Sequence, residues 1–224
     1  MIIGQFAAAI VVGYLLGSIP FGALIAKRKA KVDVTQYGSG KTGTTNVMRV
    51  AGSKMAAVVG TLDVTKGALA VLFAGMILGD GYFVVGDISI GKLIAQTLAA
   101  LAAIVGHIKP VFCRFQGGRG VATYFGGLAV LCPPAAIFGS EMLVVGAGLS
   151  RYVSLGSIAG VVSAYVLIVT FIVLDKWPVE YLIYVLTGTI IIMVMHRDNI
   201  SRLMSGKERK LGEKVEKREP SSLD

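Results

Sequence analysis

VSLGSIAGVVSAYVLIVTFIVL, the stretch from Val153 to Leu174, contains no charged residue and is long enough to cross a lipid bilayer as a helix. A helix that spans the hydrocarbon core needs roughly 20 predominantly apolar residues. The whole 224-residue chain has a similar character, with 54% hydrophobic and 16% charged residues and a mean hydropathy of +0.74. Soluble domains carry roughly 25% charged residues. The sequence therefore predicts an integral membrane protein with several spans.

Further apolar segments lie along the chain, and several of them are shorter than a full membrane crossing. Pro133 and Pro134 separate two of these segments, because neither proline can donate a helical hydrogen bond. Small residues such as Gly17 and Ala103 recur in the spans and would let helices approach closely. We expect an all-α integral membrane protein, a compact bundle of about seven transmembrane helices. The segments are Gly4 to Ala26, Ser53 to Leu78, Lys92 to Val105, Gly120 to Cys132, Ala135 to Leu149, Val153 to Leu174 and Pro178 to Met195.

The basic residues are distributed unequally between the two sides of this predicted bundle. Most of them fall in alternate connections and in the C-terminal tail, as the positive-inside rule describes for cytoplasmic loops. We therefore expect the N-terminus outside and the C-terminus in the cytoplasm. The same distribution favours the lipid bilayer, rather than nucleic acid, as the partner of a chain with net charge +9. The first apolar run, Gln5 to Ala26, exceeds the roughly 7–15 residues of a signal-peptide core and is expected to be retained.

Three polar segments interrupt the apolar runs, and all three fall on the predicted cytoplasmic side. They are Tyr37 to Arg49, Gly106 to Ala122 and His196 to Glu208, and they are rich in glycine, short polar residues and cations. A glycine-rich, positively charged loop beside a bilayer is chemically suited to holding anions, and phosphate is the first anion to consider.

The first polar segment contains short polar side chains followed by an arginine. Ser39, Thr45 and Asn46 offer hydrogen-bonding groups, and Arg49 can form a bidentate pair with phosphate. A P-loop is excluded because Thr35 stands where that pattern requires its first glycine, and no strand precedes it. The alternative is a flexible juxtamembrane loop whose cations contact lipid headgroups.

The second and third polar segments combine glycines, an arginine and a histidine near helix ends. Gly117 and Gly118 precede Arg119, so backbone donors and a guanidinium could converge on one anion. His196 and Asn199 share a helix face at i,i+3, and each can polarise or orient a hydroxyl. A glycine turn with snorkelling arginines, and an interfacial histidine, are the structural alternatives. No His/Cys/carboxylate cluster is evident, so we expect no metal and no cofactor.

Ionisable residues also lie well inside the predicted spans, among them Asp63, Lys66 and Glu141. Asp63 and Lys66 are three residues apart and can pair, which reduces the cost of burying each charge. A purely structural pair and a substrate contact are both compatible with this spacing. Glu141 has no partner nearby in the sequence, and its role stays open.

The motifs together resemble the bacterial acyl-phosphate:glycerol-3-phosphate acyltransferase family. The resemblance rests on G-S-G-x-x-G-x-T-N-x-x-R from Gly38 to Arg49 and on D-x-x-K-G from Asp63 to Gly67. It rests equally on G-H-x-x-P-x-F…G-G-[KR]-G-V-A-T from Gly106 to Thr123 and on H-R-x-N-I-x-R-L-x-x-G-x-E from His196 to Glu208. The four motifs occur in order with matching spacing, over nearly the whole chain.

The resemblance implies a membrane enzyme with its active site at the cytoplasmic face of the bacterial inner membrane. It implies transfer of a long acyl chain from acyl phosphate to the 1-hydroxyl of glycerol 3-phosphate, giving lysophosphatidic acid and inorganic phosphate. A functional link to the enzyme that makes acyl phosphate follows from this reaction. Residues 1–208 would form the acyltransferase domain, and 209–224 a charged cytoplasmic tail.

The resemblance also implies which residues form the site. The essential residues would be Ser39, Arg49, Arg119, His196 and Asn199. Thr45, Asn46 and Glu208 would support them. The chain departs from the usual family pattern at Lys41, Thr44, Arg119 and Met195, where asparagine, alanine, lysine and arginine are usual or frequent. Lys41 adds a positive charge to a phosphate site, and none of the departures removes a proposed catalytic group.

The chemistry of acyl phosphate suggests the roles. The donor is already activated, so the site needs to hold two anions together and align a hydroxyl with the acyl carbon. We expect Arg49, Arg119 and the Gly117 and Gly118 amides to bind phosphate. His196 is the candidate base, and a substrate phosphate oxygen is the alternative. Two other function classes remain open, a transporter of a phosphorylated solute and a scaffold that binds anionic headgroups.

Ser39 and Asn199 are expected to position the acceptor or to stabilise the developing oxyanion. A Ser39 nucleophile is disfavoured, because no acid–base–orienter set is evident around it.

Overall fold

The computed structural model describes residues 1–86, 88–213, 215 and 217, and its architecture within them is almost entirely helical. Two short strands, β1 (Phe83–Val85) and β2 (Ile88–Ile90), form an antiparallel hairpin that departs from the all-α expectation. The helices are α1 (Ile2–Gly17), α2 (Phe21–Ile25), α3 (Thr44–Leu78), α4 (Lys92–Ile108), α5 (Val121–Leu131), α6 (Pro133–Ser150), α7 (Val153–Val173), α8 (Tyr181–Met195) and α9 (Arg197–Met204).

The lengths of the apolar helices are those of a multi-pass membrane protein. By length and composition, four stretches of the described residues can cross a membrane: Ile2–Ala30, Thr44–Leu78, Lys92–Cys113 and Val153–Val173. A fifth is present if α8 and α9, which meet at a bend of 58°, count as one span. Helix α5 is shorter, about 16 Å at 1.5 Å per residue. The expectation of about seven spans therefore remains a prediction.

One predicted apolar segment, Gly4 to Ala26, is interrupted in the structure, and the helix that contains the next one begins before its apolar run. Helix α1 ends at Gly17, and α2 begins only after Pro20, whose missing N–H cannot continue the helical ladder. Helix α3 begins at Thr44, inside the first polar segment, and is broken at Gly52, where φ is 86° and ψ is 171°. Glycine adopts such backbone angles without steric cost. The break separates a short N-terminal arm of α3 from its long apolar arm.

Close helix contacts are made through small residues, as predicted. Gly17 of α1 lies directly against the Ala103 carbonyl of α4, and Gly139 of α6 lies against the Gly160 carbonyl of α7. Without a hydrophobic driving force between helices in lipid, such backbone approach supplies much of the packing attraction.

Helix α5 lies at the centre of the bundle, and most of its side chains are buried. The Tyr184 hydroxyl of α8 donates a 2.7 Å hydrogen bond to the Tyr124 carbonyl of α5, and the two rings stack with centroids 5.3 Å apart. The predicted break at Pro133 and Pro134 is confirmed, since α5 ends at Leu131 and α6 begins at Pro133. This fixed position of α5 places the loop that precedes it against the end of α4.

The close contact between α1 and α4 generates a stability prediction. Gly17→Ala should lower the free energy of unfolding by about 1–3 kcal/mol, because the new Cβ would overlap the Ala103 carbonyl oxygen. Gly4→Ala is the matched control on the same helix, because a Cβ there meets no atom within 4 Å. Thermal unfolding of both variants in detergent measures the effect, and equal midpoints would contradict the packing.

Candidate active site

The side chain of Asn46 organises the first polar segment. Asn46 is buried, and its Nδ2 donates to the carbonyl oxygens of Val34, Tyr37 and Lys41, each at 3.0 Å. Its Oδ1 accepts a 3.2 Å hydrogen bond from the Ser39 amide. One buried amide thus holds the loop before α3 in place and positions Ser39. Because the amide group of Asn46 forms its hydrogen bonds within the loop, its role is to hold the loop and Ser39 in position.

The second polar segment packs against the C-terminal end of α4. The Gly118 amide donates to the His107 carbonyl at 3.0 Å, and the Gly117 carbonyl accepts from the Thr42 amide at 3.4 Å. A Cβ on either glycine would overlap atoms of His107. The expected phosphate role of the Gly118 amide is corrected here, because its hydrogen is directed to His107. These glycines permit the loop to approach α4, and Arg119 is the candidate anion-binding side chain of the segment.

Arg119 is a largely buried cation. Its Nε is sealed from solvent and has no hydrogen-bond partner among the residues that the structure describes. Burial, together with the nearby charges of Arg202 and Arg49, lowers the pKa of Arg119 to about 10, against the opposing effect of Glu208. The guanidinium therefore keeps its charge at neutral pH in a site of low dielectric constant. Such a group binds an anion strongly, because little water competes.

His196 lies at the bend between α8 and α9 and is 2% exposed. Its Nδ1 is 2.8 Å from the carbonyl oxygen of Ile192. Since a carbonyl oxygen can only accept, Nδ1 carries the hydrogen, and Nε2 of the neutral ring is a proton acceptor. This geometry is compatible with the role of a base.

Glu208 fixes the third polar segment to the bundle. Its carboxylate accepts hydrogen bonds from Ser154 Oγ at 3.0 Å, Asn199 Nδ2 at 2.7 Å and Arg202 Nε at 2.7 Å. Burial would raise the pKa of Glu208, but these three donors hold it below its ordinary value. The amide nitrogen of Asn199 is thereby engaged, and its Oδ1 is sealed and finds no hydrogen-bond partner in the part of the chain that the structure describes. Glu208 and Asn199 hold α9 against α7.

Two adjoining cavities lie where the three segments meet. The first, here called the polar cavity, measures about 530 Å³. The second, the junction cavity, measures about 330 Å³ and extends between α3, α5 and α6. Ser39, Lys41 and Arg119 line both cavities. The other residues around the polar cavity are Gly38, Lys109, Val194, Met195, Arg197, Asp198, Arg202 and Arg209.

The predicted site residues divide into those that line these cavities and those that stand behind them. The lining residues are Ser39, Lys41, Thr45, Asn46, Arg119 and His196. The residues outside the cavity walls are Arg49, Gly117, Gly118, Asn199 and Glu208. Arg49 lies on the N-terminal arm of α3, and its Nη2 donates a 3.5 Å hydrogen bond to the Arg209 carbonyl.

Several residues that the structure brings to the site were not predicted from the sequence as site residues. Lys109, Arg197 and Arg202 line the polar cavity, although in the sequence their positive charges indicate chiefly the orientation of the chain in the membrane. Ser154 binds Glu208 from α7, across more than fifty residues. The high density of basic residues in these loops could have indicated that cations line the site. No local sequence pattern, however, predicts the contact between Ser154 and Glu208.

The beginning of the predicted tail also packs against the site. Arg209 lines the polar cavity, the Leu211 amide donates to the Arg151 carbonyl at 2.7 Å, and Lys217 forms a β-bridge with Tyr37. The rest of that predicted tail, residues 214, 216 and 218–224, lies outside the described residues. Among those that are described, no three His, Cys, Asp or Glu side chains come together as a metal site.

Glu208 generates a prediction of pH-dependent stability. Because its folded-state pKa is lowered, its stabilising effect is present above the unfolded-state pKa and is lost as the pH falls through the folded-state value. Glu208→Gln should therefore lower the free energy of unfolding by about 1.5–3 kcal/mol at neutral pH. Unfolding midpoints of wild type and variant should converge in acid. A difference that is independent of pH would contradict this assignment.

Comparisons with known proteins show the family of the chain. A family model described as glycerol-3-phosphate acyltransferase matches residues 7–206. Glycerol-3-phosphate acyltransferase 3 of Dehalococcoides mccartyi (strain CBDB1) is 54% identical, over 96% of this chain and 100% of that protein. A glycerol-3-phosphate acyltransferase of Halalkalibacterium halodurans is 41% identical, over 91% of this chain and 94% of its own.

A solved structure has the same fold. The glycerol 3-phosphate form of PlsY (YgiH), an integral membrane glycerol 3-phosphate acyltransferase, superimposes with a TM-score of 0.79. The two sequences are 36% identical, and the match covers 92% of this chain and 96% of that one. The lysophosphatidic acid form of PlsY matches with a TM-score of 0.77. The chain belongs to the glycerol-3-phosphate acyltransferase family.

Proposed function

We propose that this protein transfers a long-chain acyl group from acyl phosphate to the 1-hydroxyl of sn-glycerol 3-phosphate. The products are lysophosphatidic acid and inorganic phosphate, in the first step of phospholipid biosynthesis. The observation that carries the proposal is a buried excess of positive charge beside an apolar groove, with Ser39 and His196 where the two meet. The names of the relatives and the ligands of the PlsY structures support it.

The polar cavity is suited to two phosphate groups. Lys41, Arg119 and Arg209 line it, and the nearby carboxylate of Glu208 is already engaged by Arg202. Two substrates that both carry phosphate repel each other, so the site must supply cations that offset this repulsion. Charge-assisted hydrogen bonds from buried guanidinium groups are strong enough to do so.

The acyl transfer itself needs few protein groups. The 1-hydroxyl oxygen of glycerol 3-phosphate attacks the acyl carbon, and the bond from that carbon to the phosphate oxygen breaks. Ser39, at the junction of the two cavities, orients the acceptor or donates to the developing oxyanion. The hydroxyl proton passes to Nε2 of His196, or alternatively to a phosphate oxygen of a substrate. Phosphate leaves with the electron pair of the broken bond.

The acyl chain lies in an apolar groove that continues from the junction cavity. A third cavity of about 560 Å³, the apolar groove, runs along α3, α5 and α6. It shares Val64, Phe125, Ser140 and Val144 with the junction cavity. An acyl chain placed there would have its carbonyl carbon near Ser39 and its tail among apolar side chains. Glu141 lies in the wall of the groove, where it would meet the chain away from the reacting end.

The proposal includes the placement of the enzyme in the cell. The site faces the cytoplasm of a bacterial inner membrane, in a bundle of about seven membrane helices with its N-terminus outside. The cations Lys27, Arg28 and Lys29 form a π-helical turn after α2, close to the first polar segment, which supports this orientation. Acyl phosphate must be supplied by a second enzyme, and a functional link to that enzyme is part of the proposal.

The donor specificity is the first test. Purified protein in detergent should form lysophosphatidic acid from labelled glycerol 3-phosphate with palmitoyl phosphate and not with palmitoyl-CoA. Ser39→Ala and Arg119→Ala should each lower kcat/KM by about 10²-fold or more, because each removes a donor at the junction of the cavities. The absence of product from folded wild-type protein would contradict the enzyme and favour transport of a phosphorylated solute, which flux into proteoliposomes would detect.

The apolar groove generates a second test. Val144→Trp should shift the chain-length preference from palmitoyl phosphate towards decanoyl phosphate, because the indole would block the passage shared by the junction cavity and the groove. Leu149→Trp is the matched control, since Leu149 is on the same helix, 85% exposed and outside the groove. The measurement is the ratio of kcat/KM for the two donors. An unchanged ratio in Val144→Trp would exclude the groove as the acyl site.

A further inference from the structure

Three ionisable side chains are buried behind the active site and take no part in the proposed reaction. Asp63 is 1% exposed, Lys66 3% and His107 7%. The Asp63 Oδ1 atom is 2.8 Å from Lys66 Nζ and 3.4 Å from His107 Nδ1. We call these three residues the buried triad. The carboxylate is shared between a cation of its own helix and the last turn of α4.

The buried triad connects the elements from which the site is built. Lys66 Nζ donates a 3.1 Å hydrogen bond to the Ile19 carbonyl, in the break between α1 and α2. His107 accepts the Gly118 amide hydrogen at its backbone carbonyl. Its ring Nε2 lies so close to Gly118 that a Cβ there would overlap it. The His107 side chain therefore contacts the residue immediately before Arg119.

The contacts exclude a direct role for the sealed atoms of the triad. Asp63 and His107 form part of the wall of the junction cavity. The Asp63 Oδ2 and His107 Nδ1 atoms, however, are sealed from solvent; the described chain holds no hydrogen-bond partner for Oδ2, and Nδ1 faces Asp63 Oδ1 at 3.4 Å. A substrate in the cavity cannot reach these two atoms. Their effect on a substrate must pass through groups that do reach it.

Stability alone is a weak reason for such a cluster. A buried ion pair costs desolvation energy on both partners, and well-packed apolar residues of similar volume are often equally stable. A role in fixing the position of a neighbouring group would explain the triad better. The neighbouring loop carries such a group, Arg119, whose buried charge must be held at a fixed place in the cavity.

We propose that Asp63, Lys66 and His107 are positioning residues for the phosphate-binding arginine. Lys66 fixes the Asp63 carboxylate, the carboxylate holds the His107 ring, and the ring sets the position of Gly118 and so of Arg119. The inference rests on the proposed function, in which Arg119 binds a substrate phosphate. It adds the residues that fix the location of that charge.

A double-substitution experiment tests the contact between His107 and Gly118. His107→Ala and Gly118→Ala should each raise the KM for glycerol 3-phosphate by ~10-fold, with a smaller change in kcat, because Arg119 is displaced. In the double variant the new methyl group at 118 occupies space that the imidazole has left. Its KM should therefore lie well below the product of the two single effects, as expected for residues in contact. Single effects that multiply would overturn the inference.

A second experiment separates positioning from stability. The double variant Asp63→Leu with Lys66→Met removes the buried ion pair while keeping similar volume. Its unfolding midpoint in detergent should recover relative to Asp63→Leu alone, because no unpaired buried cation remains. Its KM for glycerol 3-phosphate should stay raised, because the His107 ring has lost the carboxylate that holds it. Recovery of the KM together with the midpoint would assign the triad to stability and overturn the proposal.

Measurements on the wild-type protein distinguish a failure of this inference from a failure of the proposed function. If wild-type protein forms no lysophosphatidic acid and binds no glycerol 3-phosphate in calorimetry, the proposed function fails. If wild type is active and the His107 and Gly118 variants keep its KM, only the positioning role fails. Failure of His107→Ala to fold would leave the decision to the Asp63 and Lys66 variants.

Discussion

The constraint on which the site depends is the burial of positive charge without an equal number of carboxylates. Burial lowers the pKa of Arg119, and the nearby charges of Arg202 and Arg49 lower it further. Glu208 opposes this effect but is itself shared among three hydrogen-bond donors. Folding must therefore hold cations together against their repulsion, in surroundings that screen charge poorly. In the proposed function, substrate phosphates would supply the missing negative charge and relieve the repulsion among the cations, which would favour anion binding.

Much of the polar chemistry around the cavities serves to hold this charge in place. Asn46 fixes the loop that carries Ser39, and Glu208 fixes the short helix that follows His196. Gly118 has no side chain because the His107 ring occupies that space. In the sequence these residues stand in the same motifs as the candidate phosphate ligands, so residue type and spacing do not tell the two groups apart. A sequence shows which groups can donate or accept, but the direction of each hydrogen bond depends on contacts between distant segments.

The fold could be predicted where a single local property decides it. Apolar length located the helices, and the paired prolines located the boundary between α5 and α6. The break at Pro20 was missed because apolar residues continue through it, and the helical arm of α3 before Gly52 was missed because it begins inside a polar segment. The candidate site residues were predicted from motifs, and six of them line the cavities. Ser154 and Arg209 were missed because their roles depend on packing between distant segments.

The arrangement of the two kinds of cavity bears on why acyl phosphate is the proposed donor. The polar cavity, about 530 Å³, must accept glycerol 3-phosphate and the headgroup of the donor together. A phosphate headgroup on the donor is small enough to leave room for the acceptor. It can also be bound by the same guanidinium groups as the acceptor phosphate. The nucleotide of an acyl-CoA would compete with the acceptor for this space. The apolar groove begins where the cations end, so in the proposed arrangement the acyl carbon would lie at the boundary between them. Lysophosphatidic acid has one polar and one apolar end, and in this arrangement it would span the boundary after transfer, with its chain already on the side of the bilayer.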